Sequence, residues 1–320
     1  VVLGLCATLP AQGALFAVDV GSSFFKIAVL TSPTSSPEIV LDEGANRKMP
    51  AFVSLRKGED PVVGASALPM LSLYPNSTFT NLHQVLGLPT GHPRMQYLQQ
   101  GLRFPWTFTP FPDRGTIQVQ GGDQPHHIEE VTSLLLQHTQ QLVKGHLQHQ
   151  GHTGIKAQAS NCMLVVPAYY SIPQRVALVK AAKLAGLQPQ GLVHRTTAAA
   201  VQYATQASLS TKGTNVDNVL IIDVGAYSTE VGVFRVHRHS AKTSLGTIKA
   251  KAIAWHTEVG GYAYDEALSR WLLDQFHEQT GVQVEDDSDT LEGWRALRRL
   301  WAEAKAVKEK LSANSAIPLK

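Results

Sequence analysis

The feature that most constrains this chain is a short sequence pattern that occurs twice, at residues 15–30 and 218–234. In each copy an apolar stretch of strand length ends in Asp-Val-Gly, small or hydroxyl-bearing residues follow, and a second apolar stretch begins. The pattern predicts a β-hairpin in each place. Its two aspartates, Asp19 and Asp223, are 204 residues apart. This separation indicates two duplicated α/β domains, each with one hairpin.

The turn of the first hairpin suits a phosphate group. Gly21, Ser22 and Ser23 offer backbone N–H groups and two hydroxyls with little side-chain bulk. Asp19 ends an apolar strand, where a carboxylate is costly to bury alone, and a magnesium ion held through water would compensate it. One copy of the pattern fits a plain hairpin equally well. Two copies at domain spacing favour two hairpins that clamp a nucleotide.

The composition excludes several classes of protein. The 320 residues are 43% hydrophobic and 17% charged, enough to bury a sizeable core, which excludes disordered and collagen-like chains. The net charge of +3 is too small to indicate a nucleic acid or an anionic membrane as partner, and we expect neither. Cys6 and Cys162 fit neither a disulfide framework nor a cysteine-rich metal site.

The beginning of the sequence indicates a secretory route. Residues 1–7 are apolar and residues 11–14 are mostly small, so we interpret residues 1–14 as the remnant of a signal peptide, with a buried strand as the alternative. Asn76 opens an Asn-Ser-Thr triplet, which is an acceptor for N-linked glycosylation and agrees with secretory entry.

Between the hairpins, strands and helices alternate. An apolar strand at 161–166 precedes a predicted helix at 171–187, which Ser171 can cap. The apolar stripe of that helix is predicted at Val176, Val179, Ala182 and Ala185. A short strand from residue 192 then runs into an Ala-rich helix that reaches residue 204. This βαβα order predicts an α/β fold.

Three further groups of residues are interpreted as structural. Histidines on or just after a predicted helix at 128–150 form a solvated face rather than a metal site: His138, His146, His149 and His152. His126 and His127 are predicted in an exposed loop. A helix at 290–311 packs Trp294 and Trp301 into the core and exposes Arg295, Arg298 and Arg299.

Four segments between the hairpins carry a family resemblance: residues 165–170, 174–175, 185–187 and 197–200. In order and spacing they resemble the nucleotide-binding domain of the seventy-kilodalton heat-shock protein superfamily. The resemblance runs from about Phe16 to the last residue, and residues 259–265 are similar to the family's Gly-Gly-x-x-x-Asp segment. The N-terminal stretch, residues 46–53 and residues 311–314 resemble the large endoplasmic-reticulum branch, the hypoxia up-regulated or 170-kilodalton glucose-regulated stress-response chaperones.

The resemblance implies an actin-like α/β fold with two lobes around ATP or ADP and magnesium. The first lobe is predicted at residues 15–204 and the second, incomplete, at residues 215–320, with a polar segment at 205–214 between them. We expect unfolded client proteins to bind through a region that follows this sequence.

The resemblance also implies roles for individual residues. Asp19 and Asp223 take the places of catalytic aspartates that order magnesium through water. Gly21, Ser22 and Ser23 match the first phosphate loop, and Gly225 and Ser228 match the second. Gly260 and Gly261 are predicted to bind the nucleotide as well. Lys308 and Ser312 fall at adenosine-contacting positions. Pro167 and Arg175 resemble the proline switch and the arginine relay that couple nucleotide state to the substrate domain.

Departures from the family pattern concern the chemistry. His83 stands where the family has a catalytic lysine, and Arg195 stands where it has a glutamate. Ala226 and Tyr227 replace glycines of the second phosphate loop, which puts its close wrapping of phosphate in doubt. We therefore expect a weak ATPase that acts in protein folding as a holdase or as a nucleotide-exchange partner of another heat-shock chaperone.

Two alternatives remain open at this point. One is a small-molecule kinase of the same actin-like fold, which would need a carboxylate base and a sugar pocket. The other is an interaction scaffold that binds nucleotide without hydrolysing it, which His83, Arg195 and Tyr227 would favour.

Overall fold

A computed structural model describes residues 13–32, 35–102, 106–121, 124–207, 216–237, 246–282 and 290–317. Residues 1–12 of the predicted signal remnant, Cys6 among them, lie outside these ranges, as do residues 208–214 of the predicted polar segment. The described chain forms two compact units. The first comprises Val1–Asp223 and Glu230–Trp255, and the second Val224–Thr229 and His256–Lys320.

The strands are β1 (Leu15–Val20), β2 (Phe24–Leu30), β3 (Glu38–Val40), β4 (Met49–Pro50), β5 (Phe52–Ser54), β6 (Val62–Val63), β7 (Thr78–Thr80), β8 (Thr107–Phe111), β9 (Thr116–Gly121), β10 (Gln124–His127), β11 (Asn161–Val166), β12 (Gln188–His194), β13 (Val216–Val224), β14 (Thr229–His237) and β15 (Thr247–His256). The α-helices are α1 (Met70–Leu73), α2 (Pro93–Leu102), α3 (Ile128–His149), α4 (Ile172–Leu184), α5 (Arg195–Ala207), α6 (Gly261–Thr280) and α7 (Leu291–Leu311).

The central sheet of the first unit has the strand order β12-β11-β1-β2-β3, with β4 beside the end of β2. β1 pairs antiparallel with β2, which confirms the first predicted hairpin. β11 and β12 run parallel to β1, and α4 and α5 follow them in the predicted βαβα order. The side chains of Phe16, Val18 and Leu164 are fully buried, because both faces of parallel strands are covered. β1 ends at the turn that carries the candidate phosphate residues.

Helix α4 begins as the sequence predicts, and its predicted apolar stripe is buried at Ala182 and Ala185 but not along its whole length. Ser171 and Gln174 form a capping box, and Pro173 lies in the first turn. The predicted stripe is wrong at Val176, whose side chain is 47% exposed. The buried face is formed by Gln174, Ala177, Leu178, Ala181 and Ala182. Small residues on this face let the helix lie close to its neighbours.

Three three-stranded sheets lie wholly or mostly in the first unit, in the orders β10-β9-β8, β6-β5-β7 and β13-β14-β15. The first two are antiparallel. The prediction of an exposed loop at His126 and His127 is wrong, because both residues lie in β10 and pair with β9. The His126 ring packs edge-on against Phe79. Neighbouring aromatic rings therefore hold this segment in place.

Two histidines of α3, His138 and His146, are partly buried rather than fully solvated, whereas His149 is exposed as predicted. His138 lies 2.7 Å from a carboxylate oxygen of Glu43, and His146 lies 3.4 Å from one of Glu38. The described part of the chain contains no group of three His, Cys, Asp or Glu side chains placed to hold a metal ion. Nor does any helix in the described ranges have the length and apolarity needed to cross a membrane.

The second unit is built on helices α6 and α7. Thr290 caps α7 by accepting a hydrogen bond from the Gly293 N–H at 3.0 Å. Trp294 is 4% exposed, which confirms its predicted place in the core. The prediction for Arg298 is wrong, since its side chain is partly buried with its guanidinium over the Trp294 ring.

Replacement of Gly87 by alanine should destabilise the first unit. Gly87 has φ +69°, and a Cβ there would lie 2.7 Å from the Pro173 carbonyl oxygen. Gly151 has φ +82° but nothing within 4 Å of an added Cβ, so Gly151→Ala is a matched control for the backbone strain alone. In urea unfolding, we expect a loss of about 1 kcal/mol for Gly151→Ala and at least about 3 kcal/mol for Gly87→Ala. Equal losses would contradict the close contact with α4.

Candidate functional site

The turn between β1 and β2 consists of Gly21, Ser22 and Ser23. Position 21 has no room for a side chain, because a Cβ there would lie 2.2 Å from the carbonyl oxygen of Phe24. The Gly21 N–H donates to the Asp19 carbonyl at 3.0 Å, and the Ser23 carbonyl accepts from the Ala51 N–H at 3.0 Å. Hydrogen bonds therefore fix the turn at both ends.

Arg195 is the first residue of α5, and its guanidinium reaches this turn. Its Nε donates to Asp19 Oδ1 at 3.1 Å, and its Nη2 donates to the Val20 carbonyl at 2.6 Å. The Lys26 ammonium lies 2.7 Å from the other Asp19 oxygen. Burial by itself raises the pKa of Asp19, but the two cations outweigh it and hold that pKa below its ordinary value. Asp19 is therefore a carboxylate with both oxygens paired.

Glu230, near the start of β14, is the second anionic partner of Arg195, and the sequence analysis missed it. Its side chain is 0% exposed, and its Oε1 lies 3.5 Å from Arg195 Nη1. Its Oε2 accepts the Ala168 N–H at 2.9 Å. Burial raises the pKa of Glu230, and the nearby charge of Asp223 adds to that increase. The signal that could have revealed it is an acidic residue inside the apolar stretch of the second hairpin.

His83 is buried beside the same turn. Its Nε2 lies 3.1 Å from the Ser22 hydroxyl oxygen, and the Tyr170 hydroxyl donates to its carbonyl at 2.6 Å. Burial, followed by the charges of Arg195 and Arg94, lowers the pKa of His83 to about 3. The imidazole is therefore neutral at pH 7 and cannot replace the charge of a lysine.

Arg175 and Pro167 both adjoin the backbone of Ala168. Arg175 donates to the Tyr170 carbonyl at 2.8 Å and to the Ala168 carbonyl at 3.4 Å. Its Nη2 also lies 2.9 Å from His194 Nε2, which must be the acceptor because a guanidinium only donates. Ala168 thus bonds Glu230 through its N–H and Arg175 through its carbonyl. Their proposed roles as switch and relay stay predictions.

A magnesium ion does not fit at Asp19 in this arrangement. A hard dication needs several oxygen ligands with a net negative charge. Here the Arg195 and Lys26 nitrogens already pair with both Asp19 oxygens. Two unit charges of the same sign about 4 Å apart repel by roughly 4 kcal/mol at an effective dielectric constant of about 20, and magnesium has two. We therefore derive no step through a metal ion at Asp19, and the role of Asp223 in binding one stays a prediction.

In the second unit, the loop at Val224–Thr229 is bonded to the start of α6. The Gly261 and Tyr262 N–H groups donate to the carbonyls of Gly225 and Ala226 at 2.9 and 2.7 Å. A Cβ on Gly260 would lie 2.8 Å from the Ala226 backbone, so the close approach requires glycine there. Two of the N–H groups that a helix leaves without intrahelical partners are therefore used within the protein.

Tyr227 does not project from this loop. Its side chain is 4% exposed, and its ring stacks on Tyr262 with a centroid distance of 4.5 Å. Tyr262 packs in turn against Trp301 at 4.7 Å. Arg298 lies beside both tyrosines, and burial lowers its pKa below the ordinary value. The Gly225 N–H still donates to the Ser228 carbonyl at 2.8 Å, so the turn closes despite the bulky residue.

The two candidate adenosine residues lie on α7 and just after it. Lys308 Nζ donates to the Gly261 carbonyl at 3.0 Å and lies 2.6 Å from Asp265 Oδ1. Lys308 thus joins Gly225, Ser228, Gly260 and Gly261 in one cluster. Ser312 follows the helix, is exposed, and donates to the Glu309 carbonyl at 2.6 Å. The adenosine roles of Lys308 and Ser312 stay predictions.

The neutral state of His83 predicts a specific dependence of stability on pH. The folded-state pKa is about 3, whereas the ordinary value is about 6.5. As the pH falls below about 6.5, His83 becomes protonated in the unfolded chain but stays neutral in the folded protein. The contribution of His83 to the free energy of unfolding is therefore complete above that pH and decreases as the pH falls below it. Between about pH 6 and pH 4, the wild type should lose about 1.4 kcal/mol per pH unit more than His83→Gln.

Urea unfolding of both proteins at several pH values checks this difference. The carboxylates and the other histidines are common to the two proteins, so their contributions cancel. Parallel curves for the wild type and His83→Gln would contradict the buried neutral imidazole.

Comparisons with known proteins agree with the fold and with the predicted family. The family described as Hsp70 protein matches residues 15–320. The chain is 28% identical to heat shock 70 kDa protein 16 of Arabidopsis thaliana, over 93% of this chain and 36% of that protein. It is also 28% identical to hypoxia up-regulated protein 1 of Xenopus laevis, over 94% of this chain and 45% of that protein.

A third relative is chaperone protein DnaK of Thermus thermophilus, 28% identical over 93% of this chain and 43% of that protein. The chain thus spans less than half the length of each of these relatives. The family match confirms the predicted nucleotide-binding domain with its actin-like ATPase fold. Residues 15–320 place this chain in the Hsp70 family of chaperones.

Proposed function

We propose that this chain is the ATP- and ADP-binding domain of an endoplasmic-reticulum chaperone of the Hsp70 family, and that it hydrolyses ATP slowly. The observation that carries the proposal is the hydrogen bond from Arg195 to Asp19 beside the Gly21–Ser23 turn. A fixed guanidinium at a small, N–H-bearing turn is well suited to attract phosphate oxygens. The same bond occupies the carboxylate that the family resemblance assigns to ordering metal-bound water.

The environment of His83 supports the proposal that ATP hydrolysis is slow. In a phosphoryl transfer, preorganised positive charge stabilises the transition state. His83 carries no charge at pH 7, because burial lowers its pKa to about 3. Its Nε2 is also engaged with the Ser22 hydroxyl at 3.1 Å. The residue at the lysine position therefore contributes little to hydrolysis.

Slow turnover fits a holdase or a nucleotide-exchange partner of another Hsp70 chaperone better than a rapidly cycling ATPase. Unfolded proteins are then the clients, as the resemblance to the family implies. The similarity to hypoxia up-regulated protein 1 supports the endoplasmic-reticulum branch. Arg195 and His83 also favour a second candidate, an interaction scaffold that binds nucleotide without hydrolysing it.

A negative charge in the first turn should weaken nucleotide binding. Ser23 is partly exposed in the Gly21–Ser23 turn, so Ser23→Glu places a carboxylate against the phosphates. Calorimetric titration with ADP and ATP should show affinity at least about tenfold lower, or about 1.4 kcal/mol. Ser72→Glu adds the same charge on exposed α1 and should bind as the wild type does. Absence of binding to the wild-type protein under every condition would rule out the nucleotide-binding function.

Exchange of two residues should raise the hydrolysis rate. His83→Lys combined with Arg195→Glu puts lysine and glutamate at the positions where the family resemblance has them. In single-turnover ATP hydrolysis with magnesium, we expect the double variant to react at least about tenfold faster, because its barrier falls by about 1.4 kcal/mol. If the wild type hydrolyses ATP measurably, the slow ATPase is supported. If only the double variant hydrolyses ATP, the interaction scaffold is favoured. Equal rates would contradict the role assigned to these residues.

Passage through the endoplasmic reticulum should add a glycan at Asn76. Asn76 is exposed in the short turn at Pro75–Ser77, so a glycan can be accommodated. Expressed in a secretory host, the protein should shift on a gel after glycosidase treatment, and Asn76→Gln should abolish that shift. Thr78→Ala would be a poor substitute, because the Thr78 hydroxyl is buried and donates to the Tyr74 carbonyl at 2.8 Å. An unglycosylated wild type in that host would argue against this site.

A further inference from the structure

Arg195 is held on three sides, and this fixes its charge at the first turn. Its nitrogens bond Asp19 at 3.1 Å, the Val20 carbonyl at 2.6 Å and Glu230 at 3.5 Å. Its side chain is 11% exposed, so little of it is in contact with bulk water. A guanidinium in such a frame keeps its position without a bound ligand.

The carboxylates that contact this guanidinium are paired with cations before any ligand arrives. Asp19 and Glu230 are the anions, and Arg195 and Lys26 are the cations paired with them. His83 faces the same turn as a neutral ring. The Asp223 carboxylate, in β13, is close enough to raise the pKa of Glu230. A site for a divalent cation needs surplus negative oxygen ligands. Both oxygens of Asp19 are already paired with nitrogens, so this carboxylate is not open to a divalent cation.

A guanidinium can do part of the work of a cation at phosphate. It has five N–H donors, and three are used here, which leaves two for phosphate oxygens. Charge-assisted hydrogen bonds of this kind are among the strongest in proteins, and the planar fork matches the geometry of phosphate.

We propose that this chain takes its nucleotide as the metal-free anion, with the two remaining N–H donors of Arg195 binding the phosphate oxygens in place of magnesium. The proposal rests on the nucleotide-binding function proposed above. It assigns to Arg195 a ligand-binding role, and to Asp19, Glu230 and Lys26 the role of holding that guanidinium in place.

The test is calorimetric titration of the wild-type protein with ADP and with ATP, once with excess magnesium and once with EDTA. We expect the two dissociation constants to agree within about threefold. Arg195→Glu should weaken binding in EDTA at least about tenfold. Arg235→Glu is a matched control, since Arg235 is exposed in β14 of the same unit and should bind as the wild type does.

The outcomes separate this inference from the proposed function. Tight binding with magnesium that is lost in EDTA would overturn the inference and leave nucleotide binding intact. No binding in either buffer would overturn both. Unfolding curves of each variant show whether it is folded.

A second measurement does not depend on an Arg195 variant that folds. Manganese is a probe for a magnesium site, and its binding to the wild type can be followed by electron paramagnetic resonance with and without ADP. We expect the protein to add no manganese site beyond that of free ADP. A tight manganese site that Asp19→Asn removes would overturn the proposal.

Discussion

The ion pair between Asp19 and Arg195 is the interaction on which the candidate site depends. It joins the end of β1 to the start of α5, elements that are 176 residues apart in the chain. A buried charge left alone is very unfavourable, so each member of the pair requires the other. Glu230 and Lys26 extend the pair into a network, and Glu230 continues it to the Ala168 peptide. The geometry of the turn, of α5 and of the Pro167–Ala168 segment is therefore set by one set of charges.

Much of this fold could be predicted from local sequence. The strand at Leu15 with its turn and the cap at Ser171 each depend on residues close to one another in the chain. Lys26 could also have been found, because it lies directly opposite Asp19 in the hairpin register. Glu230 carried a signal, as an acidic residue in an apolar stretch, but its partners could not be predicted. The same holds for the partner of His194, since these partners come from other strands and helices. The partners of a buried charge are fixed by tertiary structure.

The second unit shows how one substitution can be absorbed. Tyr227 stands in a loop where the family resemblance has glycine, and its bulk predicts a disturbed turn. The ring instead lies between the turn and Tyr262, and the Gly225 to Ser228 hydrogen bond is kept. No sequence pattern indicated this, because Tyr262 and Arg298 are far away in the chain. Aromatic packing thus stabilises the loop conformation that glycines allow in the family pattern.

The network around Arg195 also limits how this sequence can change over evolutionary time. Replacement of Arg195 alone by a neutral residue leaves Glu230 without its cation, although the Glu230 side chain is 0% exposed. A single replacement by an acidic residue brings a third carboxylate beside Asp19 and Glu230. Both intermediates are less stable than the present sequence, so a lineage that has acquired Arg195 cannot easily lose it. The order of substitutions matters: one of the two carboxylates, or a neighbouring residue that becomes cationic, has to change before residue 195 does.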